Sequence, residues 1–336
     1  EVPADPLLWP LRKEAEEEYA KMAERINRSD VDVVSLQHEF GIFGGPAGRH
    51  ILRFVERLEK PLVTTFHTVF EHPEEPYRSI QRDIARASAR IVVMNRLAIP
   101  LLKRSFGIPQ ERIRYIPHGA PEPNSGRRSL SRRRFGWEGR KVLMTFGLLS
   151  RGKGLELMIR ALPKVRRAIP DVLYVIAGQT HPEVRKREGE AYRQELAWLI
   201  RSLGLERHVE MVDRYLDEEE LAMRLEACDG YVTPYPGMEQ ITSGTLAYAV
   251  GLGRPVLSTP YAHARDLLGD HPDLLVPFGD PELWAERIIG LLSDEELLNE
   301  RIRSIARIGR SMRWPDVARE HERLFGEVRS VASVTG

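Results

Sequence analysis

One stretch, residues 235–258 (YPGMEQITSGTLAYAVGLGRPVLS), constrains this chain more than any other. Pro234 just before it and Pro236-Gly237 inside it mark a turn after the apolar run 230–233. Glu239-Gln240-Ile241-Thr242-Ser243-Gly244 follow, and then an Ala- and Leu-rich helical run to Leu252. Gly253 stops the helix, and Pro255-Val256-Leu257 begins another strand. Strand, loop, helix and strand in that order form the βαβ unit of a parallel sheet. The loop is expected to leave backbone N–H groups of Ile241, Thr242, Ser243 and Gly244 at a helix N-terminus, a site suited to a phosphate. Glu239 stands next to that site. The plainer reading of the same residues is a capped helix end with a solvated glutamate.

Alternating strand and helix patterns run along the whole chain. In the first part, strands are expected at about 31–37, 61–66, 90–94 and 113–116, with helices at 11–26, 48–58, 77–88 and 98–104 between or before them. The strand ends carry His38, the glycine loop with Gly44 and Gly45, His67-Thr68 and Pro117-His118-Gly119. Residues 120–126 (APEPNSG) read as a linker. The alternation then restarts. Six strands are expected, at 141–146, 172–177, 208–212, 231–233, 255–257 and 274–276, the usual number for a Rossmann-type sheet. A single long helix is expected over 184–203, and a last helix from Trp314 to about 328. The expected division is 1–119, 120–312 and a terminal helix in 313–336 that returns to the first domain. Four strands in the first half, and a first residue that is Glu rather than Met, point to an N-terminal domain lacking its opening βα units.

Composition excludes several classes. At 336 residues, with 42% hydrophobic and 29% charged residues, the chain is an ordinary globular one of about two domains. A net charge of +1 gives no global field for nucleic acid. No uninterrupted apolar run reaches the ~18 residues of a membrane span. Cys228 alone cannot make an intramolecular disulfide, which agrees with a cytoplasmic protein. Arg127-Arg128 and Arg132-Arg133-Arg134, with Phe135 and Trp137, form a local basic cluster. It reads first as a solvated helix, and second as a contact to an anionic membrane surface or lipid-linked acceptor.

Several marks in order resemble family 4 of the retaining glycosyltransferases, which have the GT-B fold. Thr65-Phe66-His67-Thr68 is similar to the strand-end histidine of bacterial mannosyltransferases in that family, and Ile116-Pro117-His118-Gly119 to its hinge strand. Residues 146–154 (FGLLSRGKG) resemble the glycine–lysine loop that opens the donor domain. Val232-Thr233-Pro234, Glu239 and Gly253-Arg254-Pro255-Val256 resemble the donor-site block. The resemblance implies an α/β fold of two Rossmann-like domains facing a cleft. It also implies transfer of a hexose, mannose being one candidate, from a nucleoside-diphosphate sugar to a glycan, glycolipid or small polyol. No cofactor or metal is implied, and the protein would be cytoplasmic or peripheral to the inner face of the membrane. Two positions depart from the pattern. The second acidic residue of the donor block, which binds the ribose in the family, falls on Ala247, and the arginine after the first loop glycine falls on Leu148. Arg151, within the same loop, is the candidate replacement for the latter.

The chemistry asks for charge on the departing diphosphate. Lys153 and the amides at 242–244 supply it without a metal, because fixed donors aimed at growing charge lower the barrier. The lone Asp30-Val31-Asp32 precedes a strand rather than following one, so it reads as a turn. The resemblance implies that Glu239 touches sugar hydroxyls, with Gln240 and Ile241 alongside it, and that His67 orients the sugar or acceptor. Gly178 ends a strand of the donor domain, and Arg214-Tyr215 lie where relatives hold the base. His38 and the Gly44-Gly45 loop are candidates to touch donor phosphate or acceptor, and His118 to face the cleft from its strand end. Each histidine has a structural alternative, for His118 capping the hinge, and Gly44-Gly45 equally suit a tight turn. A catalytically silent GT-B domain that only binds sugar or nucleotide is the competing reading. A dinucleotide-binding oxidoreductase ranks last, since neither glycine loop fits GxGxxG.

Overall fold

The computed structural model describes residues 8–238 and 241–335. The chain divides into two units, one of residues 1–117 and 318–336, the other of residues 118–317.

The first unit holds β1 (Val34–His38), β2 (Leu62–Phe66), β3 (Arg90–Val93) and β4 (Ile113–Tyr115), all parallel and in that order across one sheet. Its helices are α1 (Glu16–Asn27), α2 (Ile51–Arg57), α3 (Tyr77–Ala87) and α4 (Ala98–Phe106). Every residue of β2 is buried, as expected of an inner parallel strand covered on both faces.

The second unit runs α5 (Arg128–Phe135), β5 (Lys141–Phe146), α6 (Leu155–Ala168), β6 (Val172–Ala177), α7 (Pro182–Glu188), α8 (Ala191–Ser202), β7 (Val209–Val212) and α9 (Glu218–Ala227). It continues with β8 (Gly230–Thr233), α10 (Gly244–Gly251), β9 (Val256–Ser258), α11 (Ala262–Leu268), α12 (Pro281–Ser293), α13 (Glu295–Gly309) and the start of α14 (Trp314–Thr335). The rest of α14 belongs to the first unit, where Arg329 reaches Asp32 at 3.7 Å and Glu327 pairs with Arg114 at 2.9 Å. Helix α6 buries Leu155, Met158, Ile159, Leu162 and Val165, a stripe at helical spacing against the sheet.

The order of the second sheet is β7-β6-β5-β8-β9, all parallel. The chain therefore winds outward from β5 in one direction and, after β8, in the other. Such a sheet opens a crevice beyond the carboxyl ends of the two central strands, here β5 and β8, and that is where doubly wound sheets bind ligands.

Three expectations for this unit are corrected, the last of them in part. The segment 274–276 is not a sixth strand among the described residues. It makes one parallel bridge, Ser258 to Leu275, after a 3-10 turn at Pro272–Leu274 that takes the first residue of the apolar run. The helix expected over 184–203 is two helices, broken where Gly189 turns to φ 60° and ψ −129°. Three arginines of the basic cluster, Arg127, Arg128 and Arg132, are engaged rather than solvated, while Arg133 and Arg134 stay exposed as expected of a solvated helix. Arg128 pairs with Asp229 at 2.6 Å and Arg132 with the same carboxylate at 3.3 Å, while Arg127 bonds Glu226. Further N–H groups of Arg128 and Arg132 go to carbonyls of Glu226, Ala227, Cys228, Trp137 and Arg140. Those arginines tie α5 to the end of α9. Among the described residues no helix is long and apolar enough to cross a membrane.

Candidate functional site

The loop after β5 meets the loops after β8 and β6 because a glycine at each contact lets it. Gly154 has φ 61°, and a Cβ there would stand 2.2 Å from the carbonyl oxygen of Pro234. Gly178, at the end of β6, has φ 134°, and its Cβ would stand 2.1 Å from the Gly147 carbonyl oxygen. Neither conformation nor spacing admits a side chain. The 147–149 segment is further fixed by Leu149 N–H donating to the Gln179 carbonyl at 2.9 Å.

Lys153 follows β5 in this loop and reaches across to the β8 side. Its Nζ donates to the Tyr235 hydroxyl at 2.7 Å and lies 4.4 Å from the centre of the same ring. The Tyr235 hydroxyl shares a hydrogen with Thr245 Oγ1 at 2.9 Å, and Thr245 Oγ1 with Ser243 Oγ at 3.1 Å. Three hydrogen bonds thus connect Lys153 to Ser243, the residue that caps α10 by accepting from Leu246 N–H. Among the described residues Lys153 has no carboxylate partner, and burial pushes its ammonium down to about 8. A desolvated cation beside a helix N-terminus is a place for a bound anion.

The helix tip is less bare than expected. Ser243 N–H donates to Nδ1 of His263 at 2.8 Å, so that amide is already committed. Gly244 and Thr245 carry the amides of a helix's first turn, which take no partner among the described residues. Thr242 is partly exposed and Ile241 is buried. His118 stands on the same tip. Its Nε2 is 3.2 Å from where a Gly244 Cβ would be, and its Nδ1–H donates to the Gly119 carbonyl at 2.7 Å. Burial lowers its pKa. Ala247 is wholly buried, so an acid there would be a charge in the core. Glu239 and Gln240 lie outside the described residues.

Beside this tip is a cavity of about 190 Å³ lined by Phe146, Leu148, Gly178, Arg214, Tyr215 and Leu221, among others. Its wall is largely apolar, with Tyr215 exposed at the rim and Arg214 held by Glu220 at 2.6 Å. Arg193 braces two of the strand ends around it, donating to the Gly178 carbonyl at 2.8 Å and pairing with Asp213 at 2.8 Å. A flat apolar slot next to an anion site has the form of a nucleotide pocket.

Other expected residues fall elsewhere. Arg151 does not join Lys153. Its guanidinium takes both oxygens of Glu195 at 2.7 Å and Glu188 at 3.3 Å, on the outer face of α8. Arg151 is the candidate replacement for the family's loop arginine because it lies in the same loop, but the 3-10 turn at Arg151–Lys153 points neighbouring side chains apart. His38 does not face open space either. It is fully buried among Phe40, Phe43 and Phe66, with ring centres 4.8, 5.9 and 5.4 Å away, and neither ring nitrogen has a hydrogen-bond partner among the described residues. Gly44 and Gly45 make a tight turn. Their N–H groups are taken by the Tyr19 hydroxyl at 3.0 Å and Glu14 at 3.1 Å, and a Cβ on Gly44 would be 1.8 Å from the Lys13 carbonyl oxygen. His67, at the carboxyl end of β2 in the first unit, is half-buried and donates from Nε2 to Gln37 Oε1 at 2.9 Å.

Tyr235, Thr245 and His263 were not anticipated. Tyr235 sits between two prolines, and His263 is a lone histidine in an apolar helix, so neither pattern carries a signal. Thr245 lies two residues past the cap, where a hydroxyl stands out only once the tip is seen. No group of three His, Cys, Asp or Glu side chains is placed to hold a metal among the described residues.

Residues 140–294 match the family model for glycosyl transferases group 1, and residues 3–122 that for glycosyltransferase family 4. The phosphatidyl-myo-inositol mannosyltransferase of Mycolicibacterium smegmatis is 30% identical over 162 residues, 48% of this chain and 38% of that protein. The Mycobacterium leprae protein of the same name is 25% identical over 289 residues, 82% of this chain and 69% of its own length. Against the first three curated relatives, the chain spans between 38% and 62% of their length. The fold is that of Anabaena HepE, crystallised with UDP, at a TM-score of 0.73 and 18% identity, covering 94% of this chain and 82% of that one. With family models on both units and the same two-sheet architecture, the chain belongs to the GT-B glycosyltransferases of family 4.

Proposed function

We propose that this protein transfers a hexosyl group, mannose being the first candidate, from a nucleoside-diphosphate sugar to a hydroxyl of a glycan, glycolipid or small polyol, with retention at the anomeric carbon. The observation that carries the reading is the Lys153–Tyr235–Thr245–Ser243 chain of hydrogen bonds, which holds a desolvated ammonium against the start of α10 beyond β5 and β8.

In this reading the diphosphate lies on Lys153 and the open amides of α10, and the base enters the cavity at Gly178, Arg214 and Tyr215. As the bond from the anomeric carbon to the phosphate oxygen breaks, negative charge grows on the phosphate, where the fixed cation and amides meet it. The acceptor oxygen bonds to the anomeric carbon on the face the phosphate leaves, and its proton passes to that phosphate. Glu239 would hold sugar hydroxyls, and His67 would orient the sugar or acceptor. Charge is neutralised by protein groups, so the reading includes no metal.

Support for mannose comes from the names of the mannosyltransferase relatives, and support for a lipid-borne acceptor from the inositol phospholipid in those names. The UDP bound in HepE keeps uridine donors in the comparison. A lipid acceptor would place the enzyme at the cytoplasmic face of a membrane. The test is release of nucleoside diphosphate from GDP-mannose, UDP-glucose and UDP-N-acetylglucosamine, with phosphatidylinositol vesicles or free polyols as acceptors. Turnover of one donor by the wild type, lost in Lys153→Ala, supports the reading. Binding of a nucleotide with no turnover of any donor would favour a silent binding domain.

A further inference from the structure

His263 lies at the start of α11, just after β9, and is wholly enclosed. Its Nδ1 accepts the Ser243 N–H at 2.8 Å, so the neutral ring carries its proton on Nε2. That Nε2 is buried and has no hydrogen-bond partner among the described residues. A buried N–H left unpaired is a standing cost, and a group kept at such a cost calls for a reason beyond packing. The reason visible here is the other nitrogen. Among the described residues Nδ1 is the acceptor of the Ser243 amide, while Ser243 Oγ is engaged with Leu246 N–H at 3.3 Å and Thr245 Oγ1 at 3.1 Å.

The backbone geometry gives this bond a consequence. Ser243 is extended, at φ −133° and ψ 107°. In extended backbone, successive N–H groups point to opposite sides. Holding the Ser243 N–H into the core therefore turns the Gly244 N–H the other way, out of the core. Without an acceptor at Nδ1 the Ser243 peptide plane would be free to rotate, and the Gly244 amide with it.

We propose that His263 is a positioning residue of the donor site: it takes the Ser243 amide so that the next amide, on Gly244, is aimed at the diphosphate. This rests on the reading of the α10 tip as the diphosphate site. His263 does not touch the ligand. It works as a neutral acceptor, since a protonated imidazole has no lone pair at Nδ1.

Three variants of the full chain separate positioning from packing. His263→Asn places an oxygen close to the position of Nδ1, His263→Gln places one near Nε2, and His263→Leu keeps volume without an acceptor. Binding of GDP, UDP and inorganic pyrophosphate is measured by calorimetry, and donor KM and kcat by turnover. Positioning predicts that Asn binds within about threefold of the wild type, while Gln and Leu lose about tenfold or more, on pyrophosphate as well as on nucleotide. Packing predicts the reverse order, with Leu mildest and the smaller Asn worst. Leu binding as tightly as the wild type would overturn the proposal while leaving the diphosphate site intact, provided Lys153→Ala weakens that binding. A wild type that binds none of the three probes would remove both. Should the variants fail to fold, nitrogen NMR of histidine-labelled wild type decides: the proposal requires an unprotonated Nδ1 and a protonated Nε2 on His263 from about pH 6 to 8, and a protonated Nδ1 overturns it.

Discussion

The Lys153 ammonium touches Tyr235 twice, by a 2.7 Å hydrogen bond to the hydroxyl and by lying 4.4 Å from the ring centre. A lysine on a flexible stem is a poor fixed charge unless something holds it. Tyr235 supplies the hold, and it is itself 2% exposed and tied to Thr245. Lys153→Ala is expected to lower kcat by about 10²–10³, the usual loss for a preorganised donor. Tyr235→Phe keeps the ring and loses the hydroxyl. It should raise donor KM several-fold and cost about 1 kcal/mol of stability by chemical denaturation. An unchanged KM in Tyr235→Phe would mean the hydroxyl does not set the position of the ammonium.

The same contact predicts how binding depends on pH. Burial lowers the Lys153 pKa from 10.5 to about 8 in the ligand-free protein. A diphosphate beside it favours the charged form and raises that value again. Below about pH 8 the lysine is already protonated and affinity is flat in this group. Above it, binding must take up a proton, so the affinity for nucleoside diphosphate falls as pH rises. Calorimetry in buffers of different ionisation enthalpy at about pH 9 should show proton uptake, and Lys153→Met should abolish it. The folding linkage has the opposite sense. The unfolded chain binds the proton more tightly, so this group makes the ligand-free fold more stable as pH rises from about 8 toward 10.5.

How much of this was legible varies with what each residue type announces. The strand–loop–helix–strand pattern around α10 and the glycine–lysine loop before α6 were readable, because period, turn residues and helix stops agree there. The two parallel sheets followed from the same alternation. The segment 274–276 looked like a strand because three apolar residues in a row do not distinguish a ladder from a single bridge. Gly189 broke a helix whose hydrophobic period continues on both sides of it. His38 follows an apolar strand and reads as a strand-end ligand. Only packing reveals the three phenylalanines around it. The bonds among Tyr235, Thr245, Ser243 and His263 are long-range or sit in a turn, where sequence spacing carries no direction.

Arg151 shows how proximity in sequence can mislead. Its guanidinium is engaged by Glu195 and Glu188 and lies 5.2 Å from the Tyr192 ring centre, where Lys153 has none of these partners. Arg151→Ala is therefore expected to leave donor KM within about twofold of the wild type, since an exposed pair of this kind contributes little. Glu195→Ala should be equally silent. A large rise in KM for Arg151→Ala alone, with Glu195→Ala unchanged, would show that the arginine leaves Glu195 and turns to the donor when one binds.

Acid should loosen the first unit through His38. Burial among three phenylalanine rings lowers its pKa from 6.5 to about 4, with the neighbouring His67 adding to the effect. The neutral ring is the folded form, and the unfolded chain takes a proton more readily. Stability from this group is thus complete above about pH 6.5 and is lost as pH falls toward 4, at up to ~1.4 kcal/mol per pH unit. His38→Phe replaces the ring by one that suits its aromatic neighbours and removes two unpaired buried nitrogens. It should flatten the acid limb of a denaturation curve between about pH 6.5 and 4 and leave stability at neutral pH equal or higher. If His38→Phe instead keeps the full acid limb, protonation elsewhere drives the loss. If it also destroys donor turnover while the fold is intact, then the buried imidazole takes part in the reaction after all, through a movement that opens its aromatic enclosure.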